Sequence, residues 1–222
     1  MNVEALIFDF DGVLLESELA GNLHLADLLT ELGHPTDVDF ALTNFTGLSG
    51  PDFLSAVERH IGEPLPERFH DLRKEEDERV LLEGVEAVVG AVDFVRSLPA
   101  GLPRAVASSS TTHWIRTHLR HIGLEGVFEP HIYSGREHVV RGKPAPDIYL
   151  HAAMRLGHAI QDCVIIEDSE VGATGALASG ARVIGLAAGR HCRDGHDDRL
   201  RALGVREIAY SFDDVRRSLA LR

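Results

Sequence analysis

Four short runs of apolar residues, dominated by aliphatic side chains, lie at residues 3–8, 104–107, 163–166 and 182–186. Runs of this length are typical of strands that are buried on both faces of a sheet. Segments with helical periodicity separate the later runs, at residues 111–121, 146–156 and 171–179. Strands that alternate with helices predict an α/β fold, in which a Rossmann-like parallel sheet is covered on both faces.

The stretch from residue 17 to residue 82 breaks this alternation, because it contains no convincing strand. Two sets of apolar residues recur there at helical spacing before a glycine: Leu19, Leu23, Ala26 and Leu29 before Gly33, and Phe53, Val57 and Ile61 before Gly62. A charged helix is predicted at residues 68–82, and a final helix at residues 213–221. We therefore predict a helical cap domain at residues 17–82, inserted into an α/β catalytic core of residues 1–16 and 83–222.

Charge and composition narrow the choice of partner. The chain has 22 Lys and Arg against 35 Asp and Glu, a net charge of -13, which argues against binding to nucleic acid or to an anionic membrane. No apolar run is long enough for a membrane span. There are two cysteines and no signal-peptide pattern at the amino terminus. We expect a cytoplasmic protein, a monomer or weak dimer, that acts on a small molecule.

Two aspartates follow the first apolar run, in the sequence Asp9-Phe10-Asp11-Gly12. An ionised aspartate can attack phosphorus, and a carboxyl two residues on can donate and then accept the proton of the leaving oxygen. Gly12 allows a sharp turn that exposes backbone N–H groups. Because a carboxylate repels a phosphate dianion, this chemistry needs a hard divalent cation, and Mg²⁺ fits. An aspartate-rich turn at a strand end is the alternative.

Ser108 follows the second run, and Lys143 lies on a loop that Pro144 and Pro146 make stiff. Hydroxyl and N–H groups between a strand and a helix can bind phosphate, although serine is also a common helix N-cap. A lysine held on a stiff loop can neutralise a phosphoryl oxygen and the attacking carboxylate together. An ordinary loop before a helix is the alternative for Lys143.

Glu167 and Asp168 follow the third run. Asp168 is the natural further metal ligand, and Glu167 can bind the metal or orient a metal-bound water. The dipole of the following helix would favour acidic residues here, but it does not explain why they end an apolar strand. Because ligands bind beyond the carboxyl ends of parallel strands, we expect all these groups to meet at one edge of the sheet.

The chain resembles the haloacid dehalogenase-like superfamily of phosphotransferases over its whole length. Asp9-Phe10-Asp11-Gly12-Val13 is similar to the first motif of that superfamily, Ser108 to the second, Lys143 to the third and Glu167-Asp168 to the fourth. The helical insertion resembles the small cap of the β-phosphoglucomutase-like subfamily. Similar capped members include phosphatases of sugar phosphates and of 6-phosphogluconate.

The resemblance implies a role for each motif residue. Asp9 would be the nucleophile and Asp11 the general acid and base. Mg²⁺ would be held by the Asp9 carboxylate, the Asp11 backbone carbonyl and Asp168, with Glu167 beside them. The residues that would bind the transferring phosphate are Gly12, Ser108, Ser109 and Lys143.

The cap departs from the sugar phosphomutases at two positions. Gly21 stands where they carry a cap histidine, and Gly50 stands in the loop of residues 46–51 where they carry a phosphate-binding arginine. A mutase must hold a second phosphate on its substrate. We therefore expect a Mg²⁺-dependent phosphomonoesterase that hydrolyses a small sugar, polyol or sugar-acid phosphate through an aspartyl-phosphate intermediate. A phosphomutase and a catalytically idle regulatory protein of the same fold are the alternatives.

The segment of residues 191–198 contains His191, Cys192 and His196, which are residue types that bind zinc. Their spacing lacks the paired pattern of a structural zinc site. We expect a flexible loop near the mouth of the site.

Overall fold

A computed structural model of the chain describes residues 3–48 and 50–220. Its strands are β1 (Ala5–Phe8), β2 (Arg104–Ser108), β3 (Ile132–Ser134), β4 (Cys163–Glu167), β5 (Arg182–Leu186) and β6 (Glu207–Ala209). They form one parallel sheet in the order β3-β2-β1-β4-β5-β6. The strand β1 therefore lies in the middle of the sheet, and the predicted α/β class is confirmed.

Helices account for most of the remaining described residues. They are α1 (Ser17–Glu31), α2 (Val38–Phe45), α3 (Gly50–Ile61), α4 (Glu67–Glu83), α5 (Ala91–Ser97), α6 (Thr112–His121), α7 (Asp147–Leu156), α8 (Glu170–Ser179), α9 (His196–Leu203) and α10 (Phe212–Ser218). The first four form the helical insertion after β1, as predicted. They enclose an apolar core of their own, which includes Leu25, Leu29, Phe45, Val57 and Phe69.

Side chains of β1 alternate between the two faces of the sheet. Leu6 and Phe8 join one apolar cluster, in which the Phe8 ring lies edge-on to Phe94 and Phe128 at centroid distances of 6.2 and 5.6 Å. Ile7 joins the cluster on the other face. Burial on both faces explains why the strand is apolar until Asp9.

The two chain segments that join the insertion to the sheet lie side by side. The Val88 N–H donates to the Leu14 carbonyl at 3.1 Å, and the Glu16 N–H donates to the Glu86 carbonyl at 2.9 Å. Glu16 is buried, and its carboxylate accepts the backbone N–H of Arg190 at 3.0 Å. The base of the insertion is thus tied to the core by backbone and side-chain hydrogen bonds.

Several sequence expectations need correction. The strands β3 and β6 and the helices α2, α5 and α9 were not predicted, and the face assigned to α1 was partly wrong, since Leu23 is 43% exposed. The final helix begins at Phe212 and ends at Ser218, while Leu221 lies outside the described residues. Within residues 3–48 and 50–220, every helix is too short or too polar to span a bilayer.

His118 on α6 is a buried group whose ionisation would oppose folding. It is fully buried, its ring lies 4.2 Å from the Trp114 ring, and neither ring nitrogen has a hydrogen-bond partner among the described residues. Burial lowers the pKa of His118 to about 4, although the Asp11 charge raises it and His121 lowers it further. The folded protein therefore holds this imidazole neutral.

We predict that acid destabilises the protein partly through His118. The unfolded chain binds this proton at a pH near 6.5 and the folded chain only near 4. The contribution of the neutral His118 ring to stability is therefore fully present above pH ~6.5. As the pH falls to 4, this contribution to the free energy of unfolding is lost, by up to about 3 kcal/mol. Denaturant unfolding between those pH values should show a smaller loss for His118→Leu than for the wild type. His70→Gln, at an exposed position, is the control. If the free energy of unfolding falls by the same amount between these pH values in all three proteins, the prediction is contradicted.

Candidate active site

The register of β1 and β4 places two carboxylates side by side. Phe8 pairs with Ile166, and the Asp9 N–H donates to the Ile166 carbonyl at 2.9 Å. Asp9 therefore leaves β1 at the level where Glu167 ends β4, and Asp168 follows directly. This is the carboxyl edge of the parallel sheet, where ligands of such folds bind.

Asp9, Glu167 and Asp168 form a buried acidic cluster. One carboxylate oxygen from each lies within 4.8 Å of the others, and all three residues are buried. The Lys143 ammonium donates to Asp9 Oδ1 and to Glu167 Oε1, each at 2.6 Å, and its side chain is only 4% exposed. One ammonium thus contacts two of the three carboxyl groups.

Burial sets the protonation of this cluster. It raises the pKa of Asp9 well above the usual aspartate range, and although Lys143 lowers it, Glu167 and Asp168 raise it further. Burial lowers the pKa of Lys143, but Asp9 and Glu167 outweigh that effect and hold the pKa well above the usual lysine range. The lysine stays charged, and a second cation is needed to keep Asp9 ionised.

The cluster fits Mg²⁺. Carboxylate oxygens are the hard ligands that this ion prefers. Asp168 is fully buried; its Oδ2 lies 2.8 Å from His191 Nε2, while its Oδ1 has no hydrogen-bond partner among the described residues. A cation can satisfy a buried carboxylate oxygen that has no donor. Asp9, Glu167 and Asp168 are the residues whose carboxylates would hold the ion, and the participation of the Asp11 backbone carbonyl stays a prediction.

Asp11 lies apart from this cluster, in a ring of hydrogen-bond donors. Its carboxylate accepts from Ser17 Oγ at 2.7 Å, Ser110 Oγ at 2.6 Å, Trp114 Nε1 at 3.1 Å and Ser108 Oγ at 3.3 Å. Its two oxygens thus point toward the start of α1 and the start of α6. Thr111 is the N-cap of α6, and its hydroxyl accepts the Trp114 backbone N–H.

Glu167 is held by groups that the sequence motifs did not reveal. The buried Tyr149 hydroxyl donates to Oε1 at 2.8 Å, and Ser169 donates to Oε2 through its N–H at 2.9 Å and its hydroxyl at 3.1 Å. The backbone of Gly172 lies so close that a Cβ there would sit 1.7 Å from Oε1. This packing holds the carboxylate in one orientation.

A cavity of about 410 Å³ opens above the cluster, between the sheet edge and the helical insertion. The core residues that line it include Asp9, Asp11, Ser108, Ser109 and Lys143, while the insertion contributes Glu18, Asn22, Phe53, Arg73, Glu76 and Asp77. The predicted ligands Gly12, Glu167 and Asp168 are not on its surface. Burial raises the pKa of Glu18 to about 8, although His191 lowers it, so that this carboxyl can donate a hydrogen bond at neutral pH.

The positions that distinguish the mutases carry no polar side chain here. Gly21 lines the cavity at a point where an added Cβ would meet no atom within 4 Å, and Gly50 lines it at the start of α3. His24, one turn beyond Gly21, lies 3.8 Å from Glu76. Ser49 of the same loop lies outside the described residues.

The expectation of a flexible loop at residues 191–198 was wrong. His191 and His196 are 3% and 7% exposed, and α9 begins at His196. His191 packs beneath Gly12, where a Cβ would lie 3.0 Å from its Cε1 and 2.1 Å from Asp168 Oδ2. The segment therefore supports the acidic cluster from below.

Comparisons with known proteins agree with this fold. The family model for haloacid dehalogenase-like hydrolases matches residues 3–180. Fructose-1-phosphate phosphatase YqaB of Escherichia coli is 30% identical over 79% of this chain and 92% of its own length. A haloacid dehalogenase-like protein of unknown function from Agrobacterium tumefaciens is 33% identical, with a TM-score of 0.88 over 99% of this chain and 98% of that one. A haloacid dehalogenase family hydrolase from Deinococcus radiodurans, solved with bound phosphate and sodium, is also 33% identical. Its TM-score is 0.80, over 98% of this chain and 95% of that one.

We predict that Tyr149→Phe weakens Mg²⁺ binding by ~10-fold or more, because Glu167 loses one of the donors that orient it. The free energy of unfolding should fall by about 1–3 kcal/mol, since a buried carboxylate oxygen loses a partner. Calorimetric Mg²⁺ titration and denaturant unfolding measure the two effects. Tyr133→Phe, which removes a hydroxyl bonded to His131 Nδ1 at 2.8 Å, is the matched control. Unchanged Mg²⁺ affinity in Tyr149→Phe would refute the positioning role.

Proposed function

The chain belongs to the haloacid dehalogenase-like hydrolases, and from that premise we propose that it is a Mg²⁺-dependent phosphomonoesterase of small sugar, polyol or sugar-acid phosphates. The observation that carries the proposal is the contact of Lys143 with Asp9 and Glu167 at 2.6 Å, directly below a cavity into which Asp9 and Asp11 both open. A nucleophile, a proton donor and a phosphate-binding cation therefore face the same space.

In the first half of the reaction an Asp9 carboxylate oxygen attacks phosphorus in line, and the P–O bond to the leaving alcohol breaks. Lys143 holds Asp9 and offers its charge to the phosphoryl oxygens. Asp11 gives its proton to the leaving oxygen, so that the product is a neutral alcohol. When bound by Asp9, Glu167 and Asp168, Mg²⁺ would neutralise the charge shared by the carboxylates and the phosphate.

In the second half Asp11, now ionised, accepts a proton from water, and the resulting hydroxyl oxygen attacks the phosphorus of the aspartyl phosphate. Inorganic phosphate leaves and Asp9 is regenerated. Ser17, Ser110 and Trp114 hold Asp11 at the side of the cavity that faces the insertion. This placement suits a carboxyl group that must meet the leaving alcohol.

We predict that Asp9→Asn lowers phosphate release by at least ~1,000-fold, because an amide cannot act as the nucleophile. Phosphate release from p-nitrophenyl phosphate and from a panel of metabolite phosphates, with Mg²⁺, is the measurement. Asp93→Asn, at an exposed position on α5, is the control and should keep wild-type activity. Near wild-type turnover in Asp9→Asn would show that the nucleophile is misassigned.

The same panel separates the proposed phosphatase from its alternatives. Isomerised sugar phosphate without free phosphate would identify a mutase. A wild-type protein that releases no phosphate from any member of the panel would favour a catalytically idle regulatory protein.

Arg73 supports a substrate with an acidic group remote from the phosphate. It lines the cavity from α4, its guanidinium lies 6.0 Å from the centroid of the Phe53 ring, and among the described residues its Nη1 has no hydrogen-bond partner. A buried guanidinium nitrogen without an acceptor can bind a carboxylate of the substrate. Arg73, which lies on α4, thus supplies the cation that the loop near Gly50 lacks.

We predict that Arg73→Gln lowers kcat/KM for a sugar-acid phosphate by ~10-fold or more, but changes kcat/KM for a neutral polyol phosphate much less. The reason is the loss of one charge-assisted hydrogen bond, which contributes about 1.5–3 kcal/mol. Arg79→Gln is the matched control, because Arg79 lies on the same helix but pairs with Glu76 at 2.6 Å and Glu83 at 2.5 Å. Equal losses on both substrates would exclude recognition of the acid by Arg73.

A further inference from the structure

A cluster of zinc-type donors lies behind the acidic cluster and has no role in the proposed reaction. His191, Cys192 and His196 each offer a ligand atom within 4.8 Å of the other two. Both histidines are buried, and none of the three residues lines the cavity. The segment between β5 and the start of α9 thus brings two imidazoles and a thiol to one point.

The hydrogen bond of His196 prepares it to bind a metal. Its Nε2 lies 2.8 Å from the Asp168 backbone carbonyl, and since a carbonyl only accepts, Nε2 must carry the proton. The lone pair is then on Nδ1. Donation of the second ring N–H to a backbone carbonyl is the usual way in which proteins orient a metal-binding histidine.

Asp168 can complete the set of ligands. His191 Nε2 lies 2.8 Å from Asp168 Oδ2 and 3.4 Å from Cys192 Sγ. Ligand atoms of a tetrahedral zinc site lie roughly 3.3–3.8 Å apart, given bonds of about 2.0–2.3 Å, so small shifts suffice. Among the described residues, His191 Nδ1 and Asp168 Oδ1 lack hydrogen-bond partners. The internal hydrogen bonds therefore leave these buried polar atoms unsatisfied.

Two cations oppose metal binding at this point. The first is His191 itself: burial lowers its pKa, but its hydrogen bonds to Asp168 and Cys192 outweigh that effect and raise the pKa to about 11, so that a metal ion must displace a proton from this ring. The second is Arg199. Arg199 Nη2 lies 3.5 Å from His196 Nδ1. Its side chain is 39% exposed and is held by Glu170 at 2.9 Å, so it can move outward without losing that partner. Imidazole nitrogen and thiolate sulfur favour Zn²⁺ over Mg²⁺, which prefers oxygen ligands.

We propose that His191, Cys192 and His196, with Asp168 as a shared fourth ligand, form a binding site for a zinc-type divalent ion next to the magnesium site. Binding releases the thiol proton and one proton of the His191 ring to solvent and involves no redox change. Because Asp168 serves both sites, each ion lowers the affinity for the other. The zinc-type site is independent of the proposed function, whereas the competition rests on Asp168 also holding Mg²⁺.

Cobalt(II) is the probe that tests the site, because a thiolate bound to it gives a charge-transfer band in the near ultraviolet. The purified chain should give this band on titration with Co²⁺. Cys192→Ala should abolish it, and His196→Gln should weaken cobalt binding by ~10-fold or more. Cys163→Ala is the matched control, because Cys163 is the other cysteine and is buried in β4 away from the cluster. Thermal unfolding shows whether each variant remains folded.

Several results of the cobalt titration would contradict the proposed zinc-type site. Cobalt binding to the wild type without the band would place the ion at the carboxylates and overturn the proposal, as would a band that persists in Cys192→Ala. If Cys192→Ala does not fold, undiminished cobalt affinity in His196→Gln would overturn it. Repeating the titration in excess Mg²⁺ should weaken cobalt binding, and an unchanged affinity would refute the sharing of Asp168. No substrate is present, so these results do not depend on phosphatase activity.

Discussion

The backbone pairing of β1 with β4 is the constraint on which the site depends. The hydrogen bond from the Asp9 N–H to the Ile166 carbonyl places Asp9 beside Glu167. These carboxylates cannot move apart unless the central strands of the sheet separate. Like charges held together in a buried place need cations. The ammonium of Lys143 meets part of that need, and the donor set is suited to a divalent ion for the rest.

Close approach of the backbone fixes the directions of these carboxylates. A Cβ at Gly172 would lie 1.7 Å from Glu167 Oε1, and one at Gly12 would lie 2.1 Å from Asp168 Oδ2. Gly12 also has a φ of 82°, which other residues rarely adopt. The two glycines therefore act through the space they leave for the acidic side chains, and any larger residue would displace a group of the acidic cluster.

The sequence allowed prediction of the central sheet and of the motif residues, because both leave local signals. The strands β1, β2, β4 and β5 are apolar on both faces, and polar residues mark where three of them end. The three-residue strands β3 and β6 lie at the edges and are too short for such a pattern. Contacts between distant residues leave no local signal. The Tyr149 hydroxyl on Glu167 and the Trp114 indole on Asp11 therefore emerged only from the fold.

A hydrogen bond joins the helical insertion to the proposed general acid. Ser17, the first residue of α1, donates to Asp11 Oδ1 at 2.7 Å, and the segment before it pairs with the returning chain through Glu16 and Glu86. A shift of α1 would therefore disturb the Asp11 carboxylate as well as the cavity wall. Arg73 lies on α4 of the same insertion. The elements that would recognise the leaving group thus belong to the same insertion as Ser17, whose hydroxyl holds the residue that would protonate it.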